Sequence, residues 1–347
     1  MNVSYNELEK SLTKDLNSIY LFYGTERYLI DNAVNKIKKK FGELLPGINY
    51  ILVDETNLDN IVSEVESPAF FSAVASSMRT DELCGTKKLI IVKNTGLFKK
   101  DGRKKTATPM QEKLTDCLKE ELEDIIIVFV EEEADKNILF EQIEKVGIIC
   151  KIDELKLETL VIKLKQICEL YKVKADNITL KYLVEVCGTN LQTLINEIRK
   201  LIEYAGENGT ITIDSVNKLA IKQIDSVIFE LTDNLAIKKI DIAIDILNNL
   251  IYQKEPIQKI LITLYNHFKK LYLCSVAISL NKDIVNTLNL KPNQIFLVNK
   301  YKKQVSYFKV NELKELLNQF VELDYNSKIG KIDVDIGLKS ILCNYCS

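Results

Sequence analysis

Histidine is almost missing from this chain: among 347 residues there is one, His267. A lone imidazole does not make a catalytic triad, and a structural metal site normally needs about four ligands. His267 sits inside Asn266-His267-Phe268, mid-helix in a core-like apolar pattern, and reads as a structural residue. Cysteine does not fill the gap. Cys84, Cys117, Cys150, Cys168, Cys187, Cys274, Cys343 and Cys346 are scattered, mostly in apolar runs where a thiol acts as a small hydrophobe. Cys343-Asn-Tyr-Cys346 has metal-ligand spacing, but no second Cys or His pair accompanies it. Reduced thiols are the default without a secretory context. Long apolar runs are absent too: 125–130, the longest near mid-chain, is far short of the roughly 20 residues that span a membrane. The N-terminus, Met1-Asn-Val-Ser-Tyr-Asn-Glu7, has no basic stretch leading into an apolar one, so no secretory signal is visible. The expectation is a soluble, cytoplasmic protein with no membrane partner, no metal and no bound cofactor.

Strong net charge is also lacking. The formal value is −2, which does not imply a free-standing nucleic-acid binder. The charge is uneven, however. Between 269 and 309 lie Lys269, Lys270, Lys282, Lys291, Lys300, Lys302, Lys303 and Lys309 against Asp283 alone. The plainer reading is a solvated helical face. The sharper one is a surface near DNA or an acidic partner, with Lys300, Lys302 and Lys303 as DNA-proximal candidates.

What is present is most informative at 18–31. Ile19–Tyr23 reads as a buried strand, Gly24 as a turn, and the residues after it as a helix. Nucleotide-binding α/β proteins place a phosphate loop at such a junction, with several glycines and a lysine. Here the turn is Gly24-Thr25-Glu26: one glycine, no Gly-Lys-Ser/Thr, and an acid where phosphate would sit. The chain has the plan of an ATPase without the part that holds ATP.

The length calls for two or three domains. Up to about residue 150, strand candidates at 19–23, 50–53, 88–92, 125–130 and 148–152 alternate with helical stretches. They are short and apolar without strict alternation, as strands buried on both faces of a parallel sheet read. Leu29, Ile30, Ala33, Val34, Ile37 and Phe41 form the apolar side of the first helix, with Thr25 as expected N-cap and Gly42 after its end. Beyond Lys151 the pattern is helical, with Asp214 as an expected N-cap and Pro256 opening a long helix. The domain boundaries read as 1–152, 153–222 and 223–347.

No catalytic constellation emerges. Residues 125–130 followed by Glu131-Glu132-Glu133 resemble the strand-plus-acid motif that holds Mg²⁺ in phosphate-loop ATPases, but without the loop lysine those carboxylates have no nucleotide to serve. Gly96 to Gly102, with Lys99, Lys100, Arg103, Lys104 and Lys105, has the wrong spacing for a phosphate loop and follows the third strand. It reads as a mobile, solvated loop. In Glu66-Ser-Pro-Ala-Phe-Phe-Ser72, Pro68 interrupts a helix before Phe70 and Phe71. Both rings suit a core; a paired aromatic at an exposed tip also suits a partner's pocket.

Several segments together carry a family likeness: Tyr20-Leu-Phe-Tyr-Gly-Thr-Glu-Arg-Tyr-Leu-Ile30, Lys87-Lys-Leu-Ile-Ile-Val-Lys-Asn94, Ile228-Phe-Glu-Leu231, Glu255-Pro-Ile257 with Phe268, and Leu323-Asp-Tyr-Asn-Ser-Lys-Ile-Gly330. In order and spacing they resemble the delta subunit of the bacterial DNA polymerase III clamp loader, over essentially the whole length. The resemblance implies an α/β AAA+-like N-terminal domain with a degenerate phosphate loop. Two all-α domains follow, a small lid-like one and a helical collar. It implies partners as well: the sliding clamp (beta subunit), the gamma/tau and delta-prime subunits through the collar, and primer-template DNA in the assembled complex. It implies no catalytic residue in this chain, although the holoenzyme it would join is a DNA-directed DNA polymerase. Family members insert an apolar pair, carried just before the Lys-Lys strand, into the clamp. Here Phe70-Phe71 fits by aromatic character and Leu83, beside Cys84, fits by spacing. Lys291-Pro-Asn-Gln-Ile-Phe296 varies on the family's His-Pro-Phe-like segment. Two other classes stay open: a nucleotide-driven remodelling ATPase, which would need a phosphate-loop lysine, and a DNA-binding scaffold.

Overall fold

The computed structural model describes residues 1–67, 87–99, 108–120, 122 and 124–346. Phe70, Phe71 and Leu83 lie outside the described residues, as do Cys84 and the basic positions 100–105. The chain forms two compact units, Met1–Glu154 and Leu155–Ser347. The expected division at 222/223 lies inside the second.

The first unit is built on a six-stranded parallel sheet: β1 (Asn2–Val3), β2 (Ile19–Tyr23), β3 (Tyr50–Val53), β4 (Lys88–Lys93), β5 (Ile125–Glu131) and β6 (Ile148–Lys151). Across the sheet the order is β1-β6-β2-β5-β4-β3, with Leu21 paired to both Phe129 and Ile149. Successive side chains of a strand point to opposite faces. Ile19 and Leu21 pack in a core with Ile90, Val92, Ile127 and Phe129, covered by Leu114, Phe140 and Ile143 of helices Pro109–Cys117 and Ile138–Val146. Tyr20 and Phe22, alternating to the other face, are equally buried. Burial on both faces is why these strands read as unbroken apolar runs. The edge strand β3 is protected on its open side. The outward carbonyl of Tyr50 accepts from the Gly47 amide at 3.1 Å, and that of Leu52 from Asn57 Nδ2 at 3.0 Å.

The expected helix after β2 runs Arg27–Phe41 and buries Leu29, Ile30, Ala33, Val34 and Ile37. Its N-cap is Glu26, not Thr25, and makes no side-chain cap bond. Thr25 Oγ1 is instead used by the Glu154 amide at 3.4 Å. Gly42 closes the helix at φ +106°, where a side chain would be strained. Helix Ile61–Glu66 ends at Ser67 in an extended conformation, as a residue before proline prefers.

The second unit is helical save for a two-stranded parallel sheet, β7 (Lys174–Ala175) and β8 (Thr210–Ile211), which the apolar periodicity did not show. Helices Leu157–Leu170, Asn177–Cys187, Leu191–Ala205 and Ile213–Leu219 come first. The last is capped by Thr212 in a reciprocal box with Ser215, not by Asp214, which sits in its first turn. Ile224–Ala236, Ile240–Tyr252, Ile257–Ser279, Leu297–Val305, Val310–Lys328 and Val334–Cys346 follow and share one core, including Ile228, Leu264, Phe268, Phe320 and Leu338. His267 lies in it as a structural residue. Its Nε2 is 2.9 Å from Gln304 Oε1, while Gln304 Nε2 donates to the Phe229 carbonyl and to Asp233 Oδ1. Gln304 must therefore accept from His267, which fixes the proton on Nε2. Burial pushes the imidazole pKa down to about 4, against the pull of the Gln304 bond and with a small push from Lys270. Cys150, Cys168, Cys187 and Cys274 are buried, and burial raises all four thiols. They are packing residues.

Candidate functional site

In an open parallel sheet, ligands bind at the carboxyl ends of strands where the strand order reverses. Here that point is the end of β2, between β5 and β6. It is the same junction at which the sequence shows its shortened turn.

The junction is filled by the chain itself. The amide of Gly24 donates to the Glu131 carbonyl at 3.2 Å, and that of Glu26 donates to the Ile152 carbonyl at 3.1 Å. Ile152 in turn donates to the Tyr23 carbonyl at 2.7 Å. A phosphate loop works by aiming free amides at its ligand; two amides of this turn are aimed at the ends of neighbouring strands. The packing is tight enough to demand glycine. Gly24 has φ +134°, and a Cβ there would lie 2.3 Å from the Ile152 carbonyl oxygen. The Glu26 side chain is buried, and burial raises its carboxyl pKa; the nearby Tyr28 backbone amide pulls the other way and Glu154 adds a smaller upward push.

The acids after β5 have separate employment. Glu131 is buried and accepts from the Thr95 amide at 2.9 Å, Thr95 Oγ1 at 2.7 Å and the Gly96 amide at 3.3 Å. It anchors the loop after β4, which is where a metal-holding acid's lone pairs go in this chain. Glu132 pairs with Arg27 on the surface, and Glu133 is exposed. Among the described residues no cluster of three or more His, Cys, Asp or Glu could hold a metal ion.

Part of the lysine-rich stretch is paired with acids. Lys300 pairs with Glu185 of helix Asn177–Cys187 at 2.7 Å, and Lys309 lies 3.8 Å from Glu312. Lys302 and Lys303 are exposed in the last turn of Leu297–Val305 and make no ion pair among the described residues. Sequence reasoning missed the Glu185 partner because it is 115 positions away from Lys300. It missed the Ile152–Gly24 closure for a similar reason: nothing local to either residue announces it. No helix among the described residues is long and apolar enough to cross a membrane.

Comparison with known proteins bears directly on these features. The family profile for the DNA polymerase III delta subunit matches residues 20–153, and the one for its C-terminal domain matches residues 225–345. A probable DNA polymerase III subunit delta from Aquifex aeolicus is 29% identical over 331 residues, 90% of this chain and 86% of that protein. The DNA polymerase III subunit delta of Bacillus subtilis is 23% identical over 342 residues, covering 96% and 94%. The solved structure of a Bacillus subtilis DNA clamp loader delta protein shares the fold, with TM-score 0.68 and 22% identity over 99% of each chain. The first profile covers the closed β2 junction and the second covers the helical core, in the order found here, and the chain belongs to the DNA polymerase III delta subunit family.

Proposed function

We propose that this chain binds the sliding clamp and opens, or holds open, one clamp interface so that the clamp can be loaded on primed DNA. It does so as a non-catalytic member of the loader. Residues 1–152 contact the clamp, 153–222 form the small helical domain, and 223–347 form the collar that joins the gamma/tau and delta-prime subunits. Phe70 and Phe71 are the proposed clamp-binding tip, chosen for aromatic character; Leu83 is the choice by spacing. Burying two such side chains is worth roughly 1.5–3 kcal/mol each, enough to anchor a complex. Anchoring alone does not open a ring. The contacts must favour the open clamp, because a ligand shifts an equilibrium only by its differential affinity.

The observation that carries the non-catalytic reading is the β2 junction, where the Gly24 and Glu26 amides are bonded within the chain and Ile152 occupies the approach. Nucleotide control would then come from neighbouring subunits. Isolated chain mixed with ATP and Mg²⁺ is expected to show neither binding by calorimetry nor turnover; hydrolysis that survives removal of contaminants would defeat this reading. A DNA-binding scaffold is the second reading, favoured by the exposed Lys302 and Lys303. It requires tight, salt-sensitive DNA binding by the isolated chain, weakened by Lys302→Ala/Lys303→Ala.

A further inference from the structure

The collar core draws on no residue before Ile224. Helix Asn177–Cys187 packs beside Ile224–Ala236 without contributing to that core. Polar ties join the two sets of helices as well.

Gln223, the N-cap of Ile224–Ala236, donates its amide to the Val186 carbonyl at 2.9 Å. Its side chain lies against Gly188, where an added Cβ would fall 2.1 Å from Gln223 Oε1. From the collar side, Lys300 reaches Glu185 at 2.7 Å, and the buried Asn293 donates from Nδ2 to Thr189 Oγ1 at 2.9 Å. All these ties converge on the five residues 185–189. Beside them runs a groove of about 320 Å³, lined by Glu185, Thr189, Lys270, Phe296 and Tyr301 among others, so the two layers do not close on each other there.

We propose that residues 220–223 are a locked hinge. Lys300–Glu185 and Asn293–Thr189 form the latch. While it is closed, 155–219 and the collar turn as one body; once it is released, the helices of 155–219 can swing about 220–223. The chemistry suits a releasable lock. Both members of the ion pair are partly exposed, Lys300 at 41% and Glu185 at 30% of the side chain, so the pair is screened by salt and open to competition from charged groups on a neighbouring surface. Lys300 on this account is a latch residue rather than a DNA contact.

The test is amide hydrogen exchange on the full chain, wild type against Lys300→Met/Asn293→Ala, and it needs no clamp or partner. The Gln223 amide, whose bond to Val186 crosses the joint, is expected to exchange at least about tenfold faster in the variant, because local opening exposes it. Amides inside Leu191–Ala205 and Ile257–Ser279 should keep wild-type rates. Raised salt should speed the same amide in wild type, and Lys300→Glu with Glu185→Lys should restore protection in a background that keeps Asn293. Unchanged exchange at Gln223 overturns the proposal. So does acceleration spread evenly through both sets of helices, which would make these residues general supports rather than a latch.

Discussion

Gly24 and His267 show how single positions are fixed by surroundings far away in sequence. At Gly24 both the positive φ and the Ile152 backbone exclude a side chain. Backbone cannot step aside as a flexible side chain can, so Gly24→Ala is expected to cost about 2–4 kcal/mol in urea melts. A cost below about 0.5 kcal/mol, the range of indifferent surface changes, would mean the strand ends are not pressed together as described. His267 makes a pH prediction. Its folded pKa of about 4 lies below the ordinary 6.5, so the unfolded chain takes up a proton first as pH falls. The second unit should therefore lose stability as pH drops from about 6.5 towards 4, by roughly 3 kcal/mol from this residue. Stability profiles of wild type and His267→Gln should converge in slope above pH 6.5 and differ below it. The closed turn was legible at Gly24-Thr25-Glu26 because too few glycines can be seen in the sequence; its occupant, Ile152, was not.

At the scale of elements, strong periodicity was readable and short pieces were not. The helix at Ile257–Ser279 opens after Pro256 and buries Ile260, Leu261, Leu264, Phe268 and Leu271, as its spacing implies. β1, β7 and β8 have two residues each, too few for any alternation to register. Their pairing is decided by partners, Ile149 for Asn2 and Thr210 for Lys174. Caps were misplaced where two candidates stood close together: Thr212 and Asp214 are both good cap residues, and only the reciprocal bonds of Thr212 with Ser215 distinguish them. Thr212→Ala is expected to cost about 1 kcal/mol, and Asp214→Ala clearly less. Chemical denaturation of the two variants checks the assignment; equal effects would contradict it.

At the scale of the whole molecule, an α/β unit whose strand-end junction is closed precedes a helical unit in which polar ties join residues 185–189 to the helices after 223. In the proposed function such a chain is moved by its neighbours and does not drive a cycle itself. The measurement that tests this most directly is binding of the isolated chain to the sliding clamp of the same organism, with and without ATP, for wild type, Phe70→Ala/Phe71→Ala and Leu83→Ala. All three proteins should give matching circular dichroism. The account predicts wild-type binding that ignores ATP and is lost in the double phenylalanine variant. Loss in Leu83→Ala alone would move the tip to the position favoured by spacing. A wild-type chain that does not bind the clamp, or binds it only when ATP is present, would contradict the account.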